Sequence, residues 1–197
     1  MNHALRCRYG TLQGEVEATS AANRVVCYCS DCQAYAHFLG RAADVLDAHG
    51  GTEVVATLPR HVRFSAGTDA LACMSLSDGG LLRWYARCCN TPVGNTPRSM
   101  KASYVGLVHS CLDQQPLAPS FGPVRLRVGV KTAKARVDGT PMLATVAVMA
   151  RFVKLLLGAR LDGSYRRTPF FDAASGAPVR SPQVLTPPER QRLARQL

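Results

Sequence analysis

The sequence predicts a mainly β protein that carries a mixed, partly helical C-terminal extension. Three observations predict it. Residues 1–112 break into short β-prone runs separated by turns at Gly10, Gly50-Gly51, Gly67, Gly79-Gly80 and Gly94; many short strands with frequent turns mark an antiparallel all-β module. One short helical segment interrupts that half, directly after a cluster of three cysteines. Beyond residue 112 the strand pattern gives way to a Pro-, Gly- and Arg-rich stretch and then to helical spacing.

Residues 5–9 and 12–18 predict two strands joined at Gly10, and Val25-Val26 leads a third into Cys27-Tyr28-Cys29-Ser30-Asp31-Cys32. A helix follows over 33–39: Ser30 and Gln33 have capping-box spacing, and Gly40 is a stop. Strands are expected at 52–58, 61–65, 71–76, 81–86 and 103–109, with a turn at Asn90-Thr91-Pro92. Residues 113–140 read as an arm with one strand at 124–130. Over 142–157, Leu143, Val146, Met149, Val153 and Leu156 share one helical face, which predicts a packing stripe. Thr186-Pro187-Pro188-Glu189 joins capping-box spacing to Pro at the first helical position and opens a terminal helix over 187–196. The expected organisation is a domain over 1–112 and a basic extension over 113–197.

The net charge of +11 is uneven: residues 1–112 hold 10 basic and 8 acidic side chains, residues 113–197 hold 14 and 5. Such a balance suits nucleic acid or an acidic membrane face in principle. Only 4 of the 24 basic residues are Lys, however, and no aromatic residues interleave with a basic run. The expectation is therefore a solvated cationic surface, with nucleic acid not the partner. Residues 1–10 lack the apolar run of a secretory signal. The apolar stretch 142–150 is short and followed by Arg151 and Lys154, which argues against a membrane span. A cytoplasmic protein is expected, and there eight cysteines suggest metal ligands rather than disulfides.

Cys27, Cys29 and Cys32 have C-x-C-x-x-C spacing. Thiolates are preferred ligands of zinc, and zinc takes four ligands in a tetrahedron. Three clustered thiols leave one position open, for a fourth protein ligand or for reacting groups. Cys32 falls in the first helical turn, where unpaired N–H groups and the dipole favour a thiolate. Asp31 suits an acid or base role, or complements the dipole. His37 lies five residues after Cys32 and is the histidine placed to approach the metal. Cys88-Cys89 ends a strand; adjacent side chains diverge there, so at most one is expected to be a ligand, alongside Cys7. Cys73 and Cys111 read as small buried hydrophobes.

The segments Arg6-Cys7-Arg8-Tyr9-Gly10, Cys27-Tyr28-Cys29-Ser30-Asp31-Cys32-Gln33 and Trp84-Tyr85-Ala86-Arg87-Cys88-Cys89-Asn90-Thr91-Pro92 together resemble the family of the glutathione-dependent formaldehyde-activating enzyme and centromere protein V. The resemblance spans about residues 5–110. It implies a β-tent fold with two zinc sites: a structural four-cysteine site, and an open three-cysteine site that is the proposed catalytic centre. The implied activity condenses formaldehyde with the thiol of glutathione, a carbon–sulfur lyase reaction in reverse. Two departures bear on the structural site. Tyr9 and Tyr85 stand where the family has cysteines, leaving Cys7 and Cys88. An unmetallated aromatic cluster in its place is expected, with Cys89 as a stand-in ligand the rival reading. One zinc ion, at Cys27, Cys29 and Cys32, is expected per chain. The implied partner is a small-molecule thiol such as glutathione, whose carboxylates would meet Arg24, Arg41 or Arg87. The alternative is a non-enzymatic zinc module with a nucleic-acid or protein partner.

Overall fold

The computed structural model describes residues 2–112 and 115–197. The described strands are β1 (Asn2–Arg6), β2 (Gln13–Glu17), β3 (Asn23–Cys27), β4 (Thr52–Thr57), β5 (Val62–Ala66), β6 (Leu71–Ser75), β7 (Leu82–Ala86), β8 (Thr91–Thr96), β9 (Val105–Val108), β10 (Val124–Val128) and β11 (Gln183–Val184). They form two sheets. One is antiparallel, in the order β1-β2-β5; the other has eight strands in the order β10-β3-β4-β9-β8-β7-β6-β11. The helices are α1 (Ser30–Phe38), α2 (Ala42–Val45), α3 (Leu117–Phe121), α4 (Met142–Leu161) and α5 (Pro187–Ala194). The protein is mainly β, as the short runs and glycine turns predict.

Alternation along the strands sets the layers. On β7, Leu82, Trp84 and Ala86 face a core shared with Leu5, Leu12 and Val16 of the small sheet region. Tyr85 takes the opposite face, in a second core built with Tyr35, Leu39, Val54 and Met74. Trp84 is fully buried, its indole N–H donates to Thr96 Oγ1 at 2.9 Å, and its carbonyl accepts from the Tyr35 hydroxyl at 2.6 Å.

The segment beyond 112 is woven into this body. β10 pairs parallel with β3 and β11 pairs parallel with β6, so the two C-terminal strands form both edges of the large sheet. They pair the outer sides of β3 and β6 and leave the sheet ending in the short strands β10 and β11, and short edge strands are poor templates for aggregation. Phe170 and Phe171 reach the first core, their rings 5.2 and 6.3 Å from Trp84.

Four details differ from the sequence reading. Thr91 and Pro92, expected in a turn, open β8; the turn ends at Asn90, which adopts a left-handed φ of 54°. Pro92 is accommodated at a register shift opposite Trp84 and Tyr85. The α1 cap is Cys29 rather than Ser30, and Gln33 instead donates to the carbonyls of Tyr28 and Thr132, both at 2.8 Å. Third, α4 turns its expected packing stripe outward: Leu143 is 87% and Val146 57% exposed, while Phe152 and Ala159 are buried. The helix is apolar on nearly every side, so spacing could not single out a face; the aromatic ring decides, packing edge-on to Tyr104 with centroids 5.6 Å apart. Finally, the stretch read as too short for a span is part of this 20-residue helix, which at a mean hydropathy of 1.8 is long and apolar enough to cross a bilayer by length and composition. The α5 capping box forms as expected, with the Thr186 N–H donating to Glu189 Oε2 at 2.7 Å.

Candidate metal centres

Cys27 ends β3 and Cys29 caps α1, so the chain passes from strand to helix inside the cluster. The change of direction gathers the Cys27, Cys29 and Cys32 sulfurs within 4.8 Å of one another, with Cys27 and Cys29 at 3.3 Å. Four sulfurs bound to one zinc at about 2.3 Å stand roughly 3.8 Å apart. The donor set therefore fits a tetrahedral thiophilic ion with one position left over. No histidine belongs to the triad among the described residues; His37 keeps a buried Nε2.

The triad is electrostatically uneven. Hydrogen bonding from Cys27, then from Cys32, holds the Cys29 thiol far below its ordinary range, and the Arg83 charge acts in the same direction against burial. The same sharing raises Cys27 and pushes the half-buried Cys32 well up. One sulfur thus ionises readily, and a metal must displace the remaining protons.

Three groups that spacing did not reveal surround the triad. Arg83 is 2% exposed on β7; its guanidinium donates to Asn95 Oδ1 at 3.1 Å, lies 5.3 Å from the Tyr35 ring centre and sits 3.6 Å from Asp31. Asp31 is accordingly the outer partner of a buried cation. Tyr104 precedes β9; burial first, then the charges of Cys32 and Cys27, keep its phenol protonated well above its usual range. The third group is the segment after β10. Tyr28 donates its N–H to Val128 O at 2.9 Å, the Thr132 hydroxyl donates to Tyr28 O at 2.8 Å, and Gly129 presses its backbone on Cys29. A Cβ at Gly129, whose φ is +67°, would stand 2.8 Å from Cys29 N. A lone Arg, a lone Tyr and a distant Gly have no sequence pattern to announce them.

A second triad joins Cys7 to Cys88 and Cys89. Cys7 and Cys88 sulfurs are 3.7 Å apart, Cys88 and Cys89 3.6 Å, and all three lie within 4.8 Å. The expectation that adjacent cysteines diverge is corrected: it holds on a strand, whereas residues 87–90 form a turn that directs both thiols to one side. The expected aromatic replacement is also corrected. Tyr9 is 70% exposed, and Tyr85 points to the opposite sheet face, against Phe38. Burial pushes Cys88 up to about 11. Burial opposes ionisation of Cys89 too, yet the Thr91 hydroxyl and nearby backbone N–H groups bring it down to about 7. Two thiol triads, where one centre was expected, are thus arranged to hold a metal ion.

The other named residues have simpler places. Cys73 and Cys111 are buried as expected, and burial pushes Cys73 up to about 12. Arg24 pairs with Glu53 at 2.5 Å, Arg87 is exposed, and Arg41 pairs with Asp44 at 2.7 Å.

No curated protein matches the chain. A family model does match, over residues 2–181, a span that takes in both triads, the clamp after β10 and α4. The chain belongs to this family of unknown function, DUF6151.

Proposed function

We propose that the chain is a zinc protein of β-tent type, related to the glutathione-dependent formaldehyde-activating family, that forms or cleaves the carbon–sulfur bond between a small-molecule thiol such as glutathione and a small aldehyde. The observation that carries the reading is the triad of Cys27, Cys29 and Cys32, converged within 4.8 Å beside a buried arginine. Zinc held there would supply a mild Lewis acid, because three thiolates leave the complex at −1, and would favour thiol chemistry over activation of water. Arg83 offsets that negative charge from the protein side. As the carbon–sulfur bond forms and the carbonyl π bond opens, the proton lost by the thiol passes to the aldehyde oxygen; Tyr104, kept protonated by burial, is suited to donate a hydrogen bond to that oxygen without giving up its own proton. The β10 clamp fixes the Cys29 backbone, so the donors need not reorganise during the reaction. The reading places the protein in the cytoplasm, where thiols stay reduced.

The test is direct. Zinc-loaded protein should accelerate formation of the S-hydroxymethyl adduct from formaldehyde and glutathione, followed by proton NMR, and Cys29→Ser should abolish the acceleration. A protein that carries zinc at this triad yet leaves the adduct forming at the uncatalysed rate would sink the activity.

A further inference from the structure

The C-terminal end of β1, α2 and the start of β8 line a cleft of about 410 Å³ that shares no residue with the Cys27 triad and borders the second triad through Cys7. Its wall concentrates positive charge. Arg6, Arg8 and Arg41 all line it, against the single acid Asp44, which Arg41 already engages at 2.7 Å. Among the described residues the guanidinium groups of Arg6 and Arg8 have no ion pair and no hydrogen bond. Like charges gathered without counter-charges repel one another, and an anion placed between them removes the repulsion. A second observation is independent of charge. Arg41 Nε and Ser110 Oγ, both from the cleft wall, are buried and without a hydrogen-bond partner. Buried donors are almost always satisfied, so two together behind one cavity wall point to an acceptor met when the Arg41 and Ser110 side chains turn into the cleft.

We propose that this cleft binds a small ligand through an oxyanion, a phosphate or a carboxylate, held by Arg6, Arg8 and Arg41 with the Ser110 hydroxyl as a further donor. Guanidinium forks match the oxygen pairs of both groups. The volume is that of a metabolite-sized pocket, and its concavity suits a small molecule over a duplex. The site stands whether or not the Cys27 triad is catalytic, since the two share no residue.

The test uses the full chain and two probes, inorganic phosphate and succinate, titrated by calorimetry at constant ionic strength set with sodium chloride. Saturable binding of one equivalent of at least one probe is expected, and the stronger of the two names the oxyanion. Arg6→Gln and Arg8→Gln, both at exposed positions, should each weaken it roughly tenfold with unchanged melting temperature. Three results would overturn the proposal: no saturable binding of either probe below about 10 mM, equal binding by both variants and the parent, or salt-dependent duplex DNA binding lost in the variants while neither probe binds. Adduct-forming activity unaffected by the variants would leave the Cys27 reading intact, so the two proposals fail separately.

Discussion

The two cysteine triads hold the same three ligand atoms on contrasting scaffolds. The first is local: six residues supply every sulfur, and a strand-to-helix junction sets their spacing. Around it the fold has placed a buried cation, a protonated phenol and a clamping backbone. The second is assembled from the end of β1 and the turn after β7, with threonine and backbone groups as its neighbours. Among the described residues no arginine as deeply buried as Arg83 stands beside it; Arg6, Arg8 and Arg41 line the cleft that its Cys7 borders, with Arg6 and Arg8 exposed and Arg41 engaged by Asp44. A metal at either triad would carry the negative charge of three thiolates, and among the described residues the first has a fully desolvated guanidinium, Arg83, to balance it. On the proposed reading, the difference separates a centre that exchanges its fourth ligand from one suited to pinning two turns together.

The sharpest way to break that contrast is Cys29→Ser. Serine is a good N-cap, so α1 should persist while one thiolate is lost. Metal affinity at the first triad is expected to fall by roughly a hundredfold or more, since a structural zinc shares about 10–16 kcal/mol among its ligands. Chelator competition with two metals bound should show one released early and the other retained. Release of both would mean that the triads are not independent.

Arg83→Met removes the cation and keeps the bulk. Its neighbour Asp31 is largely exposed, so no charge is stranded in the interior. The expected loss is about tenfold in metal affinity at the first triad, within the range for groups that support a metal ligand, with the second triad unmoved. An equal loss at both would assign Arg83 to fold stability alone.

Why the sequence displayed one triad and hid most of its surroundings follows from distance along the chain. C-x-C-x-x-C is read directly, because a turn and a helix start are local events. The strands showed through period-two alternation and glycine punctuation. Arg83, Tyr104 and Gly129 reach the first triad only because β7, β9 and β10 belong to one eight-stranded sheet, and pairing order is a property of the whole chain. The convergence of Cys7 on Cys88 and Cys89 was hidden for the same reason. Cys88-Cys89 also sits in a turn that looks like a strand end. Gly129→Ala tests the tertiary part alone. A left-handed φ and a contact at 2.8 Å to Cys29 N make the methyl group costly, by about 1–3 kcal/mol. For a chain of this size that lowers the melting temperature by roughly 2–12 °C. Metal affinity should weaken severalfold at the first triad only, read by the same competition.

The smallest effect expected at the first triad comes from Cys89→Ser. Cys89 lies 3.1 Å from the Thr91 hydroxyl and 3.6 Å from Cys88, so serine keeps the polar contacts and deletes one sulfur from the second triad. Metal analysis should fall from two ions per chain to one, with adduct formation at the first triad unchanged. The loss should appear instead as a lower melting temperature in zinc, because a bound ion stabilises the fold in proportion to its affinity. A fall in activity equal to that of Cys29→Ser would reverse the assignment, making the second triad the reactive one and the first the pin.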